Sequence, residues 1–413
     1  MFSINLKPYE KYKDSGVEWL GQIPVDWEVL PTKRIFRLIT DSAPQNNNME
    51  LLSVYTDIGV KPRRELEERG NKATTTDYYW VVKKGDIIVN KLLAWMGAVG
   101  ISEYDGVTSP AYDVLRKIKN LNPYYYHFLF RNPFTHQELR KYSKGIMDVR
   151  LRLYFSEFGR IILPLPPLSI QNHIVEYLNH KNQQADIFIE KQTRLIELLK
   201  EQKKAIINQA VTKGLNPDAP MKDSGIEWLG EIPSHWEVMK LKYVCKIKYG
   251  NSLEGDQRKD GAVPVYGSNG VVGFHNKSIT KRPCIIIGRK GSFGKINYSD
   301  VKCFPIDTTY YIDEIDSQLY CFKWLLLILS CSQLDQLSKD TGVPGLNRED
   351  AYQKKLPVPN REEQQQIVSY IESKTAKIDQ AIEKSEKEIT LVKEYLQSLI
   401  YHVVTGQVKI DQK

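Results

Sequence analysis

The most regular hydrophobic pattern lies near the C-terminus, where apolar residues recur at alternating intervals of four and three. This seam runs from Ile371 to Val403, and such spacing is typical of a coiled-coil helix. Moving back by 193 positions gives a second seam in the same register, from Leu178 to Ala210. Proline-rich stretches precede both seams, at residues 164–167 and 357–359, which suits a helix start. The pattern predicts two long helices.

The apolar members of the two seams are predicted to form a coiled-coil or partner interface. Asn182, Gln192 and Lys203 interrupt the first seam, and polar interruptions can fix register and partner. The alternative is that each helix covers the core of its own domain, but a shared seam of this length favours the two helices packing on each other. The predicted interface residues are Leu178, Ile189, Ile196, Leu199, Ile206, Ile371, Ile378, Ile382, Ile389, Leu396 and Leu399.

Upstream of each helix the pattern changes to short apolar runs separated by turns. Residues 80–82 and 86–89 are rich in β-branched residues and flank a Lys-Lys-Gly turn, which predicts a pair of strands. Residues 285–287 form a similar run in the second half. Glycine pairs and aromatic stretches follow in the same order in both halves, so the two regions are predicted to share a mixed α/β fold. The aromatic stretches, residues 124–126 and 320–324, favour core helices over base stacking.

Two blocks of the chain are repeated. Residues 13–30 and 222–239 are identical at 13 of 18 positions, at an offset of 209 and without a gap. A second pair, which includes the two proline-rich stretches, aligns at the offset of 193 seen in the seams. The chain is therefore an internal duplication, and duplicated copies that pair have approximate two-fold symmetry with antiparallel helices.

The predicted fold class is α+β, with two mixed α/β domains separated by two long antiparallel coiled-coil helices. The expected chain order is a first variable domain with its repeated block, a first long helix, a second variable domain with its repeated block, and a second long helix. The corresponding boundaries are residues 1–162, 163–215, 216–355 and 356–413. Two domains held apart by a stiff pair of helices suit a protein that contacts two DNA half-sites at a fixed spacing. Such half-sites recur at about one helical turn of DNA, ~34 Å, or at multiples of it.

Positive charge is concentrated in the variable domains. The whole chain has 58 basic and 50 acidic residues, a net charge of +8. Residues 240–295 alone carry 12 basic and 3 acidic side chains (+9), and residues 116–160 carry 10 and 3 (+7). Local basic clusters neutralise phosphates, and polar side chains near them can read base edges. This distribution favours double-stranded DNA as a partner.

Candidate DNA contacts follow from these clusters and the turns beside them. For any single residue the alternative of a solvated surface charge stays open, whereas for the clusters together it is weaker. The candidates in the first domain are Lys61, Arg63, Arg64, Lys91, Arg150 and Arg152. Those in the second domain are Tyr266, Ser268, Asn269, Arg289, Lys290, Ser292 and Thr308.

Motifs for catalysis, metal binding and secretion are missing from the sequence. The Asn-Pro pairs at residues 122–123 and 132–133 lack the second proline of an amino-methyltransferase loop and are predicted to be helix starts or turns. No Walker loop for ATP is present, and the five cysteines and seven histidines show no metal-ligand spacing. No signal-peptide or membrane-length apolar segment appears. We therefore predict a cytoplasmic protein without catalytic residues, a bound metal or a bound cofactor.

The repeated motifs resemble those of type I restriction-modification specificity subunits over essentially the whole chain. The resemblance rests on the doubled EWLG-x-IP-x-x-W block, residues 18–27 and 227–236, on the proline-rich stretches before the long helices, and on Glu363-Gln364. The first copy departs from the family at Ser169-Ile170-Gln171, where Glu-Gln is usual.

This resemblance implies that each variable domain is a target-recognition domain that reads one half of a bipartite, asymmetric DNA site. The helices would set the spacer and dock two methyltransferase subunits, which use S-adenosylmethionine to methylate adenine N6. Restriction subunits, which use ATP and Mg²⁺, would join them to cleave unmodified DNA. The alternatives from other classes are a self-sufficient DNA-modifying enzyme and a protein-binding scaffold.

Overall fold

The computed structural model describes residues 6–65, 75–145, 151–281, 284–337 and 344–410. The chain divides into two compact units. The first comprises residues 1–192 with 387–413, and the second comprises residues 193–386. Each long helix is divided between the two units. This division does not test the four domain boundaries drawn from the sequence, which therefore remain a prediction.

In the described residues of the first unit, short strands and three short α-helices precede the first long helix. Its strands are β1 (Leu6–Lys7), β2 (Tyr12–Asp14), β3 (Gln22–Pro24), β4 (Glu28–Pro31), β5 (Phe36–Ile39), β6 (Leu52–Tyr55), β7 (Gly59–Pro62), β8 (Trp80–Val82), β9 (Ile87–Asn90), β10 (Val99–Ile101), β11 (Gly106–Thr108), β12 (Tyr112–Lys117) and β13 (Ile162–Leu165). Its helices are α1 (Pro123–Arg131), α2 (Pro133–Lys141), α3 (Phe155–Phe158) and the start of α4 (Leu168–Lys213).

The second unit continues α4 and repeats the same kinds of element. Its strands are β14 (Met221–Asp223), β15 (Glu231–Pro233), β16 (Glu237–Lys240), β17 (Lys248–Tyr249), β18 (Val263–Gly267), β19 (Gly270–His275), β20 (Cys284–Gly288), β21 (Ile296–Ser299), β22 (Phe304–Pro305), β23 (Thr309–Ile312) and β24 (Lys355–Val358). Its helices are α5 (Leu241–Val244), α6 (Phe322–Cys331), α7 (Arg348–Gln353) and most of the second long helix, α8 (Arg361–Val404), which returns to the first unit before β25 (Lys409–Ile410).

The central antiparallel sheet has the same order in both units. It runs β10-β9-β12-β5 in the first and β21-β20-β23-β17 in the second. An aromatic helix packs in each core, and its side chains Tyr125, Tyr126 and Trp324 are fully buried. The predicted shared fold is therefore confirmed, and so is the prediction that these aromatic stretches pack in cores.

Of the two alternatives predicted for the Asn-Pro pairs, helix starts or turns, the structure shows helix starts. Asn122 caps α1 and Asn132 caps α2, each accepting a hydrogen bond at 3.0 Å from the backbone N–H two residues later. Proline follows at the first helical position, where its missing N–H costs nothing and its fixed φ suits the helix.

The duplication is visible in the strand boundaries. Strands β2, β3 and β4 recur as β14, β15 and β16, every boundary shifted by 209 residues, and β13 recurs as β24 with a shift of 193. The pairing registers correspond as well, because Pro31 faces Ile162 and Lys240 faces Lys355. In each unit, these two paired strands close the base of the variable domain.

Segments of the two long helices pack antiparallel within each unit. In the first unit Leu178 of α4 shares a core with Leu399 of α8, and in the second Ala210 shares one with Ile371. All the predicted seam residues are buried or half-buried. The fold class predicted from the seams and repeats is confirmed. No helix among the described residues is long and apolar enough to cross a membrane.

Two polar interruptions of the first seam have partners on the facing helix. Gln192 Nε2 donates to Glu388 Oε2 at 3.2 Å, and Lys203 Nζ lies 2.6 Å from Asp379 Oδ1. The second pair is partly exposed, so it contributes up to about 1 kcal/mol. Such contacts select one register of the helix pair.

The segment after α8 packs against the N-terminal strand β1 and the first repeated block. Strand β25 pairs with β1, and Gly406 follows the end of α8 with a φ of 75°. A Cβ at Gly406 would lie 2.9 Å from Trp27 Cζ3, so only glycine fits this turn. Gly214 follows α4 with the same φ, and there a Cβ would lie 3.3 Å from Trp236. Each long helix thus ends against a repeated tryptophan.

A buried glutamine joins the start of each long helix to its aromatic helix. Gln364 Oε1 accepts from the backbone N–H of Cys321, which caps α6, at 2.7 Å, and Gln364 Nε2 donates to Pro359 O at 2.9 Å. Gln171 makes the equivalent bonds to Asn122 and Pro166. The start of the first long helix therefore keeps the glutamine of the family's usual Glu-Gln pair. It differs at the residue before that glutamine, Ile170.

We expect Gln364→Ala to lower the free energy of unfolding by about 3 kcal/mol, because it leaves buried backbone groups without partners. Gln365→Ala, on the exposed neighbouring position, is the matched control and should change stability by no more than about 0.5 kcal/mol. Urea denaturation of both variants measures the difference. Equal stability of the two variants would contradict the assigned role of Gln364.

Candidate nucleic-acid interface

Three candidate contacts of the first domain lie together at the end of β7 and in the short turn after it. The Lys61 ammonium donates to the Tyr104 hydroxyl at 3.4 Å and lies 5.8 Å from the centre of its ring. Arg63 is half-buried. The side chain of Arg64 is 75% exposed, although its guanidinium lies 3.2 Å from Glu50. These positions form a partly exposed basic surface.

The other candidates of the first domain lie elsewhere. Lys91 follows β9, where its ammonium donates to Pro110 O at 2.8 Å and lies 3.3 Å from Asp113 Oδ1. Its charge is therefore paired within the chain. Arg152 is exposed on a short bridge of extended backbone. Arg150 lies outside the described residues.

The Lys-Lys-Gly turn of the first domain is held by an ion pair. Asp86 Oδ1 and Oδ2 accept from Arg116 Nε and Nη2 at 2.8 and 2.7 Å, and Asp86 Oδ2 also accepts from the Lys83 N–H at 2.8 Å. The Asp86 side chain is 3% exposed. A bidentate pair this buried fixes the geometry of the turn.

Six of the seven candidates of the second domain come together where three loops meet. The loops are the turn between β18 and β19, the segment after β20 and the segment before β23. Lys295 Nζ donates to Asn269 Oδ1 at 2.6 Å, Asn297 Nδ2 donates to Ser268 O at 3.3 Å, and the Arg289 N–H donates to Thr308 O at 2.9 Å. We call this region the polar loop cluster, which consists of Ser268, Asn269, Arg289, Lys290, Ser292 and Thr308.

The seventh candidate, Tyr266, is directed into its own domain. Its hydroxyl donates to Tyr298 O at 3.2 Å, and its ring packs against buried Cys284 and Cys303. Burial raises the pKa of the Tyr266 hydroxyl, which therefore stays protonated at neutral pH.

Beside the polar loop cluster lies an arginine–tyrosine stack, formed by Tyr249, Arg289, Tyr310 and Arg348. Arg289 Cζ is 5.3 Å from the ring centre of Tyr249 and 5.9 Å from that of Tyr310. Arg348 Cζ is 4.8 Å from the ring centre of Tyr249. The Tyr310 hydroxyl donates to Leu346 O at 3.0 Å. Cation–π contacts at these distances hold guanidinium planes in place.

Sequence patterns did not single out Tyr249, Lys295, Asn297 or Arg348. These residues are separated from Arg289 by up to 59 positions, and nothing in their local sequence marks them. Their shared location follows from the strand order, which brings the ends of β17, β20 and β23 side by side. The high local charge of residues 240–295 and the turns near it were the sequence features that pointed to the region.

The long helices also expose apolar side chains away from their seam. Leu198 on α4 and Leu391 on α8 occupy equivalent positions of the duplication and are 46% and 51% exposed. Ile187 and Leu195 add to the same kind of surface on α4, at 46% and 42% exposed. Clustered apolar residues of this kind mark protein contacts more often than single ones do.

Several proteins resemble this chain. The chain is 24% identical to a putative type I restriction enzyme MjaX specificity subunit of Methanocaldococcus jannaschii, covering 95% of this chain and 96% of that one. It is 23% identical to the type I restriction enzyme MjaVIII specificity subunit of the same organism, covering 94% of each chain. A solved structure from a study of complex assembly and conformational transition of the type I R-M system has the same fold, with a TM-score of 0.70, 16% identity and coverage of 93% of this chain and 99% of that one.

The type I restriction modification DNA specificity domain matches this sequence twice, at residues 24–201 and 233–391. Each match begins within a repeated block, crosses one variable domain and ends in a long helix. The two matches thus follow the duplication that the strands and registers show. The chain belongs to the family of type I restriction-modification specificity subunits.

Proposed function

We propose that this protein gives a type I restriction-modification complex its DNA sequence specificity, each unit reading one half of a bipartite, asymmetric site. The observation that carries the proposal is the repetition of one sheet order in two domains whose loops differ in sequence and carry clustered basic and polar residues. One fold with different loops can present different side chains to base edges. The chain itself performs no chemistry in this proposal and acts in the cytoplasm.

We assign the spacing of the two half-sites to the long helices. At 1.5 Å per residue, a helix of 46 residues is about 69 Å long, comparable to two turns of DNA. The partner contacts across the helix pair support a stiff, single-register element rather than a flexible linker.

We assign the docking of two methyltransferase subunits to the repeated surfaces of the chain. Leu198 and Leu391 support this, because a duplicated chain offers equivalent apolar positions twice. S-adenosylmethionine would be bound by those subunits, and ATP and Mg²⁺ by two restriction subunits where they join.

The test is to map methylated adenines in DNA from cells that produce this protein with a modification subunit. We expect one asymmetric motif with two defined halves and an unread spacer, and no motif when this protein is omitted. The purified complex should bind such DNA with an affinity that falls steeply as salt rises. A single contiguous motif, or methylation by the purified chain alone, would contradict the proposal.

A further inference from the structure

The guanidinium of Arg289 is held unusually firmly for a partly exposed side chain. Its backbone is fixed on both sides, because the Arg289 N–H donates to Thr308 O at 2.9 Å and Arg289 O accepts from Leu346 at 2.8 Å. The side chain lies against the rings of Tyr249 and Tyr310, and Nη1 donates to Asp307 O at 3.1 Å. The position of the guanidinium is therefore set before any ligand arrives.

This fixed charge has no acidic partner among the described residues. Two other cations of the recognition domains are neutralised within the chain. Lys91 pairs with Asp113, and Lys248 pairs with Asp313 at 2.6 Å. Arg289, by contrast, contacts aromatic rings and one backbone carbonyl, which leave most of its five N–H donors for another acceptor.

A phosphate contact does not require such order. Phosphate is bound adequately by flexible, exposed cations, because charge alone supplies most of that attraction. A fixed, planar fork matches the O6 and N7 acceptors of guanine, which Arg contacts in a bidentate manner. Preorganisation also lowers the entropy lost on binding.

We propose that Arg289, positioned by Tyr249 and Tyr310, reads a guanine of the half-site that the second domain recognises. The inference rests on the proposed function and deepens it by naming one base-reading side chain. Arg348, whose guanidinium contacts the same Tyr249 ring, is a positioning residue for the stack. Lys290 is exposed beside it and is assigned to the phosphate backbone.

The test compares Arg289→Lys with Lys290→Ala in complexes with the modification subunit. Binding is measured on a panel of duplexes in which each base pair of the two half-sites is replaced in turn. Arg289→Lys keeps the charge but loses the fork, so discrimination at one G·C pair should fall about 5- to 150-fold and stay intact elsewhere. Lys290→Ala should weaken binding to all duplexes equally and reduce the salt slope by about one.

Variants of the supporting ring test the positioning. Tyr249→Phe keeps the ring and should keep discrimination, whereas Tyr249→Ala should lose it at the same base pair as Arg289→Lys. Thermal unfolding of each complex checks that the variants remain folded.

The outcomes separate this inference from the proposed function. If the wild-type complex recognises no bipartite site, the proposed function fails. If it does recognise one, but Arg289→Lys keeps the full discrimination profile or weakens all duplexes equally, the assignment of Arg289 as a base reader is wrong while the proposed function stands.

Discussion

Replacing residues 240–355 with the corresponding domain of a relative that recognises another sequence should change one half-site completely and leave the other half-site and the spacer unchanged. The exchange should leave the rest of the fold intact, because its two junctions, Lys240 and Lys355, face each other in the β16–β24 pair. The loops of the polar loop cluster all lie between these two junctions, so the side chains assigned to reading move together. Methylated-adenine mapping measures the result, with loss of the original motif expected to be essentially complete.

The duplication supplies a matched control for this exchange. Residues 31–162 are bounded in the same way, since Pro31 faces Ile162 in the β4–β13 pair. Exchanging this segment should change the other half-site only. If either exchange altered both halves, the two domains would not read DNA independently.

The sequence predicted those parts of the fold that repeat or follow a strict period. The seams predicted the helix pair because a heptad pattern reports burial directly, and even Gln192 and Lys203, which break the pattern, proved to have partners on the facing helix. The offsets of 209 and 193 predicted the duplication, and the paired strands at the base of each domain recur at the same offsets, because similar residues in the same order form the same registers.

The candidate interface was predictable only in outline. Local charge pointed to residues 240–295, and the turn residues Ser268, Asn269 and Arg289 came from that region. The contacts of Arg289 with Tyr249 and Arg348 depend on which strands become neighbours in the sheet, and that order is not encoded in any local pattern. Lys91 is the opposite case. Its charge in the sequence indicated a DNA contact, whereas in the fold its ammonium is paired with Asp113.

Removing one heptad from both long helices should shorten the spacer and leave both half-site sequences unchanged. Deleting residues 190–196 and their equivalents 383–389 removes seven residues from each helix and keeps the seams in register. Each helix loses about 10 Å, which corresponds to about three base pairs at 3.4 Å each. Methylated-adenine mapping should show the original motif lost and the same two halves about three base pairs closer.

The helical rotation of DNA affects how well the shortened protein can bind and methylate its new site. A heptad returns each helix to nearly the same face, whereas removing three base pairs turns the duplex through roughly a third of a helical turn, since one turn takes about 10.5 base pairs. The DNA must therefore twist to meet both domains, and that deformation costs free energy in proportion to its stiffness. We accordingly expect the shortened protein to methylate its new site more slowly than the wild type methylates the original.

A four-residue deletion at the same places, which breaks the seam register, should instead abolish folding of the helix pair. An unchanged spacer in the heptad variant would show that the helices do not set the distance between the half-sites.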